Sequence, residues 1–271
     1  MRSKSKQEAR TAVLSVEGLS STYGDREILR DVSFSVKDGE IFVIMGSSGS
    51  GKTTLLKHLI GLSTSNQGSV TLLGNRLLTL AKNELYKLRK RIGVAFQGGA
   101  LINSMNIIDN VELPLHQHTK LDNATIRIMS RIKLKMVSLI DAEHLMPPQL
   151  SGGMLKRAGL ARAVIMDPEL LFFDEPSAGL DPVTSAAIDE LIISLRDALK
   201  MTVVVVTHEL ESALKIADRI MILADGQIVA LGTIDEIRQL TDPRVQSLLH
   251  RRPPDSCRDD ENYLDHLTRK E

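Results

Sequence analysis

An eight-residue glycine-rich loop constrains the fold of this chain more than any other feature. It comprises Gly46, Ser47, Ser48, Gly49, Ser50, Gly51, Lys52 and Thr53. The loop matches the pattern G-x-x-x-x-G-K-[ST] and lies between an apolar run, residues 41–45, and a helix-like segment, residues 54–60, which is the context that the pattern requires. Backbone N–H groups of such a loop and the positive end of the following helix bind phosphate. We therefore expect an α/β fold with a nucleotide phosphate site.

Two side chains of this loop have distinct predicted roles. Lys52 is expected to reach the β- and γ-phosphate oxygens, and the Thr53 hydroxyl is expected to bind Mg²⁺. The next residue, Thr54, is included among the expected nucleotide contacts. The alternative is a Gly/Ser-rich turn before a helix, and the strand, loop and helix setting favours the phosphate site.

Apolar patterning predicts two kinds of sheet. Continuous apolar runs, typical of strands covered on both faces of a parallel sheet, span residues 41–45, 92–96, 170–173 and 203–206. Shorter β-rich segments, which indicate an antiparallel sheet with one solvated face, span residues 12–16, 32–36 and 70–73. The predicted fold class is α/β: a P-loop NTPase core with a mostly parallel sheet, an N-terminal antiparallel β-subdomain and an inserted helical subdomain.

The helical insertion is predicted from residues 101–148, which have mostly helical composition. Its apolar residues recur near helical spacing, and they are Ile126, Met129, Ile132, Met136, Leu139 and Ile140. Further along, Asp225-Gly226 between two alternating apolar runs predicts a β-hairpin.

Composition shifts at both ends predict the domain limits. We expect a flexible leader over residues 1–11, one large domain over 12–250 with its helical subdomain at about 98–165, and a tail over 251–271. In the tail, Tyr263, Leu264 and Leu267 could share one helical face and dock, or they could be incidental apolar residues of a disordered end.

Polar side chains at three further strand ends complete a predicted catalytic site. Asp174 and Glu175 follow the run at 170–173, where Asp174 fits an Mg²⁺ ligand and Glu175 fits a base that orients water. Gln97 follows the run at 92–96, and its amide could bridge Mg²⁺ and the attacking water. His208 follows the run at 203–206 and could contact a γ-phosphate. Alone, each would more often be a solvated edge residue, but together with the phosphate loop they indicate a site.

A second candidate anion site lies about 20 residues before the strand-end acids. Ser151, Gly152 and Gly153 precede a helical run, so a hydroxyl and two N–H groups lie at a helix start. The short string alone is more typical of a loop, and its position in the chain is what makes it informative.

Composition excludes several classes of function. Lys+Arg and Asp+Glu both number 34, so no overall field attracts nucleic acid, and no nucleic-acid partner is expected. The single cysteine, Cys257, excludes an internal disulfide and a cysteine-based zinc site, which fits a reducing cytosol. No apolar run approaches the roughly 20 residues that span a bilayer, so we expect no membrane crossing.

Over residues 12–235 the chain resembles the nucleotide-binding domain of ABC transporters. The motifs that carry the resemblance, in chain order, are Tyr23, 46–53, Gln97, 150–154, 174–175, 177–181 and His208. The resemblance implies an ATPase with ATP and Mg²⁺ as cofactors. It also implies that Tyr23 stacks on adenine, that Glu175 polarises water, and that Gln97 and His208 sense the γ-phosphate.

The resemblance further implies a head-to-tail dimer of two copies of the chain. In that arrangement residues 151–153 complete the site by capping nucleotide held on the other copy's phosphate loop, and Asp181 lies in the loop that joins the two. Two sites per dimer follow.

One branch of the family is favoured by finer matches. Met154 stands where the family mostly has Gln, and together with residues 97–101, 118–121 and 143–146 it resembles the Mla/Mce-type lipid-transport ATPases. That resemblance implies a peripheral subunit on the cytoplasmic face of the inner membrane, with a multipass permease, an MCE-domain lipid-binding protein and a small cytoplasmic accessory subunit as partners.

Three alternatives to a lipid transporter predict different sequence features. A soluble ABC ATPase of DNA repair or translation would carry a long heptad insertion or a second cassette, and the sequence has neither. A binding module without catalysis would lack a catalytic group, yet Lys52, Asp174, Glu175 and His208 are all present. A cassette for another cargo, such as amino-acid import or lipoprotein release, stays open.

Overall fold

The computed structural model describes residues 11–250. The predicted leader, apart from residue 11, and the predicted tail with Cys257, Tyr263, Leu264 and Leu267 lie outside the described residues.

The described chain alternates strands and helices in the order expected for an α/β fold. Its strands are β1 (Ala12–Tyr23), β2 (Arg26–Lys37), β3 (Ile41–Met45), β4 (Gln67–Leu72), β5 (Asn75–Arg76), β6 (Ile92–Ala95), β7 (Leu170–Asp174), β8 (Thr202–Thr207), β9 (Arg219–Ala224) and β10 (Gln227–Gly232). Its helices are α1 (Lys52–Leu59), α2 (Lys82–Arg89), α3 (Ile107–His118), α4 (Asn123–Met136), α5 (Gly152–Ala163), α6 (Pro182–Leu199), α7 (Leu210–Ile216), α8 (Ile234–Gln239) and α9 (Pro243–Leu249).

A six-stranded sheet with the order β10-β9-β3-β8-β7-β6 forms the centre of the molecule. Strands β9, β3, β8, β7 and β6 run parallel, and β10 pairs antiparallel with β9 at one edge. Three of the four apolar runs supply the inner strands β3, β7 and β8, which are buried on both faces, and the fourth supplies the edge strand β6. In β3, Phe42 and Ile44 pack towards one core, and Ile41, Val43 and Met45 pack towards the other.

The second sheet is antiparallel, with the order β2-β1-β4-β5, and covers one face of the central sheet. Its strands β1 and β2 each have 12 residues and are much longer than the five-residue segments predicted at 12–16 and 32–36. Cross-strand pairing extends them through polar residues that the hydrophobic pattern could not mark as strand. The predicted α/β class with a parallel and an antiparallel sheet is confirmed.

Helices α3, α4 and α5 fall within the predicted helical subdomain, whose limits stay a prediction. Ile126 is buried on α4 as its spacing suggested, but Ile132 is 54% exposed on the outer face of the same helix. Six residues exceed one and a half helical turns, so Ile132 cannot share a face with Ile126.

The hairpin between β9 and β10 is present at Asp225-Gly226. Both residues have a positive φ, 48° and 76°, as a two-residue turn of this type requires. Within residues 11–250, no helix combines the length and the apolar character needed to span a bilayer.

Candidate functional site

The carboxyl ends of four parallel strands meet at one edge of the central sheet. Met45 of β3 pairs with Thr207 of β8, and Asp174 of β7 pairs with Val206, so the residues that follow these strands are neighbours. Strand β6, which precedes Gln97, pairs alongside β7. This edge is where open α/β sheets bind ligands.

The glycine-rich loop leaves β3 and enters α1 through close backbone contacts. A Cβ atom at Gly46 would lie 2.3 Å from the carbonyl oxygen of Leu223, so no other residue fits there. Gly51, which caps α1, has φ 105°, a left-handed conformation that favours glycine. The loop therefore curls tightly around the start of α1, where backbone N–H groups can face an anion.

Lys52 is buried inside this loop. Its Nζ donates to the carbonyl oxygens of Gly46 at 2.8 Å and Ser47 at 2.9 Å. Burial lowers the Lys52 pKa, and the charges of Glu175 and Asp174 oppose that decrease. The ammonium is thus held at the centre of the loop, close to both acids.

The two strand-end acids have different surroundings. Burial raises the pKa of Asp174, Glu175 adds to this increase and Lys52 opposes it. The carboxylate of Glu175 faces His208, whose Nδ1 lies 2.9 Å from Oε2, and Thr207 Oγ1 lies 3.3 Å from the same oxygen. Glu175 and His208 therefore form one hydrogen-bonded pair at the sheet edge.

Tyr23 ends β1 beside a cavity of about 660 Å³. The side chain is 86% exposed, and the cavity is also lined by Arg26, Thr54 and Lys57. Buried His58 also lines this cavity, and its Nδ1 donates to the Ser63 carbonyl oxygen at 3.2 Å while its Nε2 accepts from Ser21 Oγ at 2.9 Å. Tyr23 and Thr54 thus share one surface next to the phosphate loop.

His58 was not singled out in the sequence. Burial lowers the His58 pKa and therefore favours the neutral ring, while the hydrogen bond to Ser63 opposes this decrease. It ties α1 to the strand that carries Tyr23, a link between residues 37 positions apart that no local pattern reveals.

The Ser-Gly-Gly segment caps helix α5. Ser151 Oγ accepts from the Met154 backbone N–H at 3.3 Å. A Cβ atom at Gly153 would lie 2.6 Å from Thr184 Cγ2, so the helix start packs tightly on the start of α6. Within residues 11–250, no hydrogen bond or ion pair joins Ser151 or Gln97 to the phosphate loop. The structure brings Lys52, Asp174, Glu175 and His208 together. Gln97 follows β6 at the same edge of the sheet and Ser151 lies at the start of α5, and within residues 11–250 neither is hydrogen-bonded to those four side chains.

Two cations on α5, Lys156 and Arg162, were also not predicted from the sequence. Lys156 Nζ donates to the carbonyl oxygens of Glu175 at 2.9 Å and Ala178 at 2.7 Å. Arg162 donates from its two terminal nitrogens to Gly99 and Ala100 carbonyl oxygens, both at 2.9 Å. Burial lowers the pKa of both cations. A cation among apolar helix positions was the only signal that could have marked them.

The donor set fits a nucleoside triphosphate with a magnesium ion. Ser50 Oγ is buried in the loop and has no hydrogen-bond partner within residues 11–250. In the same residues no group of three or more His, Cys, Asp or Glu could hold a metal by itself. Mg²⁺ is usually held by one or two carboxylates together with phosphate oxygens, which suits Asp174 and Thr53 beside a bound phosphate. The fold and the site together define a P-loop nucleoside triphosphatase.

Comparison with known proteins narrows this class. Residues 29–178 match the family model described as ABC transporter. The chain is 44% identical to the intermembrane phospholipid transport system ATP-binding protein MlaF of Haemophilus influenzae, over 88% of this chain and 90% of that protein. It is 38% identical to the probable ribonucleotide transport ATP-binding protein mkl of Mycobacterium leprae, over 88% of this chain and 69% of that protein.

A solved structure agrees with both matches. The dimeric, post-hydrolysis structure of the ATP-binding cassette MJ0796 bound to ADP and Pi has a TM-score of 0.75 at 33% identity, covering 82% of this chain and 98% of that one. The chain therefore belongs to the ABC transporter family and is one of its ATP-hydrolysing cassettes.

Proposed function

We propose that this chain is the ATPase subunit of a transport system that moves phospholipid between membranes. The observation that carries the ATPase part is the Glu175–His208 pair beside buried Lys52 at the end of the parallel sheet. The cargo is inferred from the relatives named MlaF, which are 42–44% identical over 88% of the chain.

In the proposed reaction, each strand-end side chain has a separate task. Lys52 binds the β- and γ-phosphate oxygens. To do so, its ammonium group gives up its hydrogen bonds to the carbonyl oxygens of Gly46 and Ser47. Glu175 accepts a hydrogen bond from the attacking water, and His208 orients the Glu175 carboxylate and contacts the γ-phosphate. Tyr23 stacks on the adenine.

Magnesium is proposed as the second cofactor, held by Thr53, Gln97 and Asp174. The ion neutralises charge on the phosphates, while the residues of this chain orient the phosphates and the water. Burial raises the pKa of Asp174, and a divalent charge beside this carboxyl would stabilise its ionised form.

The proposed active unit contains two copies of the chain. Ser151, Gly152 and Gly153 lie at the start of α5 and, among the described residues 11–250, form no hydrogen bond to their own phosphate loop, so we infer that they cap nucleotide on a second copy. The dimeric MJ0796 cassette supports this arrangement.

The further partners are a multipass membrane permease, an MCE-domain lipid-binding protein and a small cytoplasmic accessory subunit. In this proposal the chain is peripheral on the cytoplasmic face of the inner membrane. No nucleic-acid partner is proposed, since positive and negative side chains balance at 34 each.

The test is purification of the full-length tagged chain from membranes with its associated proteins, followed by lipid mass spectrometry and ATPase assay in nanodiscs. We expect MgATP hydrolysis and phospholipid enriched over the bulk membrane. The same preparation carrying Glu175→Gln is the control, because it should retain the partners and lose turnover. Enrichment of a nucleotide, amino acid or lipoprotein instead of phospholipid would contradict the cargo assignment and leave the ATPase assignment intact.

A further inference from the structure

The structure contains a buried lysine that the reaction described above does not use. Lys156 lies on the second turn of α5 and is 6% exposed. Its ammonium donates to two main-chain carbonyl oxygens, those of Glu175 and Ala178, at 2.9 Å and 2.7 Å. Burying an ammonium group is costly unless hydrogen bonds compensate, so these two contacts define where the segment 175–178 lies relative to α5.

The backbone that Lys156 holds has an unusual conformation. Glu175 has φ 48°, in the left-handed region that a residue with a side chain seldom adopts. Its N–H donates to the Val206 carbonyl oxygen at 2.8 Å, and its own carbonyl oxygen accepts from Lys156. The two bonds hold the peptide groups on either side of the Glu175 Cα, and therefore direct the carboxylate towards His208.

The start of α5 packs on the continuation of the same segment. A Cβ atom at Gly152 would lie 3.4 Å from Leu180 Cδ2, and one at Gly153 would lie 2.6 Å from Thr184 Cγ2. Helix α5 thus contacts the chain after β7 twice, through its cap residues and through Lys156. A shift of the cap would be carried along the rigid helix to the Glu175 carbonyl.

We propose that Lys156 is a positioning residue that couples the cap of α5, the proposed nucleotide contact to a second copy, to the geometry of Glu175 in its own copy. Through this link each Glu175 reaches its working position when the α5 cap of the same chain engages nucleotide. The inference rests on the proposed function, and it assigns to Lys156 a role in hydrolysis and not in nucleotide binding.

The first test compares MgATP turnover of the full-length chain, with its co-purifying partners, for wild type, Lys156→Met and Lys156→Gln. Met removes both donors at similar length, whereas Gln retains two N–H donors. We expect kcat to fall about 10- to 100-fold in Lys156→Met with KM within about threefold, because small misplacement of a reacting group has that cost. Lys156→Gln should recover part of the loss.

A matched control is Lys133→Met, another buried lysine, whose Nζ pairs with Asp167 away from the sheet edge. It should lower the melting temperature and leave kcat unchanged. Loss of kcat in both lysine variants, or a kcat in Lys156→Met within about threefold of wild type, would overturn the proposal.

The second test combines Lys156→Gln with Glu175→Gln and measures single-turnover hydrolysis. If Lys156 acts through Glu175, adding Lys156→Gln to the Glu175→Gln variant should slow hydrolysis little further. A full additional loss would show a general structural role and reject the inference. This cycle also applies if Lys156→Met fails to fold. Absence of MgATP hydrolysis in wild type would instead reject the proposed function, so the two failures are distinguishable.

Discussion

At the residue scale, the position of Glu175 is fixed by hydrogen bonds to the end of the neighbouring strand β8 and to α5. Its carboxylate contacts His208 and Thr207, while its main chain is bonded to Val206 and Lys156. A group held on both sides can present one oxygen to a water molecule in a fixed geometry, which is the requirement for a general base.

For Glu175→Gln we expect ATP hydrolysis to slow by about 10²- to 10⁴-fold, because the amide cannot accept the proton. Affinity for MgATP, measured with a fluorescent analogue, should stay within about threefold of wild type. The control is Glu190→Gln, an exposed helix position paired with Lys215, where turnover should be unchanged. Turnover in Glu175→Gln close to that of wild type would rule out the role as base.

Tyr23 gives a second prediction at this scale, because an exposed aromatic ring beside a cavity is suited to stacking. Tyr23→Phe should bind MgATP like wild type, whereas Tyr23→Ala should weaken binding about 5- to 150-fold, the equivalent of about 1–3 kcal/mol per stacked base. Nucleotide titration by fluorescence measures both. Tyr86→Ala, at a half-exposed tyrosine that does not line this cavity, is the control with no expected change. Equal weakening in the Phe and Ala variants would contradict stacking.

At the element scale, α5 donates hydrogen bonds to two loops, the one after β7 and the one after β6. Lys156 holds the loop after β7, and Arg162 holds the loop after β6 that contains Gly99. The helix approaches that second loop closely at Gly159, where a Cβ atom would lie 2.8 Å from the Gly99 Cα. Backbone atoms on both sides leave no room for relaxation.

We therefore expect Gly159→Ala to destabilise the chain by about 1–3 kcal/mol through overpacking. This corresponds to a decrease in Tm of about 2–4 °C per kcal/mol for a domain of this size. Gly98→Ala is the matched control, since a Cβ there has open space and should leave Tm unchanged. Differential scanning calorimetry of wild type and the two variants measures the Tm. An unchanged Tm in Gly159→Ala would contradict the overpacking, because it would show that the loop containing Gly99 moves to make room for the methyl group.

At the scale of the whole molecule, the groups proposed for one reaction lie on two parts of the chain. Lys52 lies in the phosphate loop, while Gly152 is at the start of α5 beside Leu180. If nucleotide binds between two copies, each site takes its loop from one copy and its cap from the other.

Mixing two defective chains tests this arrangement. Lys52→Ala removes the proposed phosphate contact, and Gly152→Asp places a negative charge at the helix start proposed to cap the nucleotide. Each protein alone should retain no nucleotide stably between its two copies. In an equimolar mixture with MgATP, roughly a quarter of the sites should retain nucleotide, because half of the random dimers contain one intact site of two. A mixture that retains no more nucleotide than its components would exclude a shared site.

The sequence by itself determined the elements whose signals are local. The glycine-rich loop, the four apolar runs and the Asp225-Gly226 turn each need only neighbouring residues, so the loop between β3 and α1, four strands of the central sheet and the hairpin were predicted correctly. The strand-end acids could also be predicted, since parallel strands bring their carboxyl ends to one edge.

Tertiary structure alone decided the contacts between distant segments. Strands β1 and β2 continue beyond their apolar alternation because each pairs with the other over polar residues. Lys156 and His58 bond groups 19 to 37 residues away in the chain. Such bonds depend on how the helices pack against the sheets, and the free energy of burying an ammonium or imidazole group is compensated only once that packing exists.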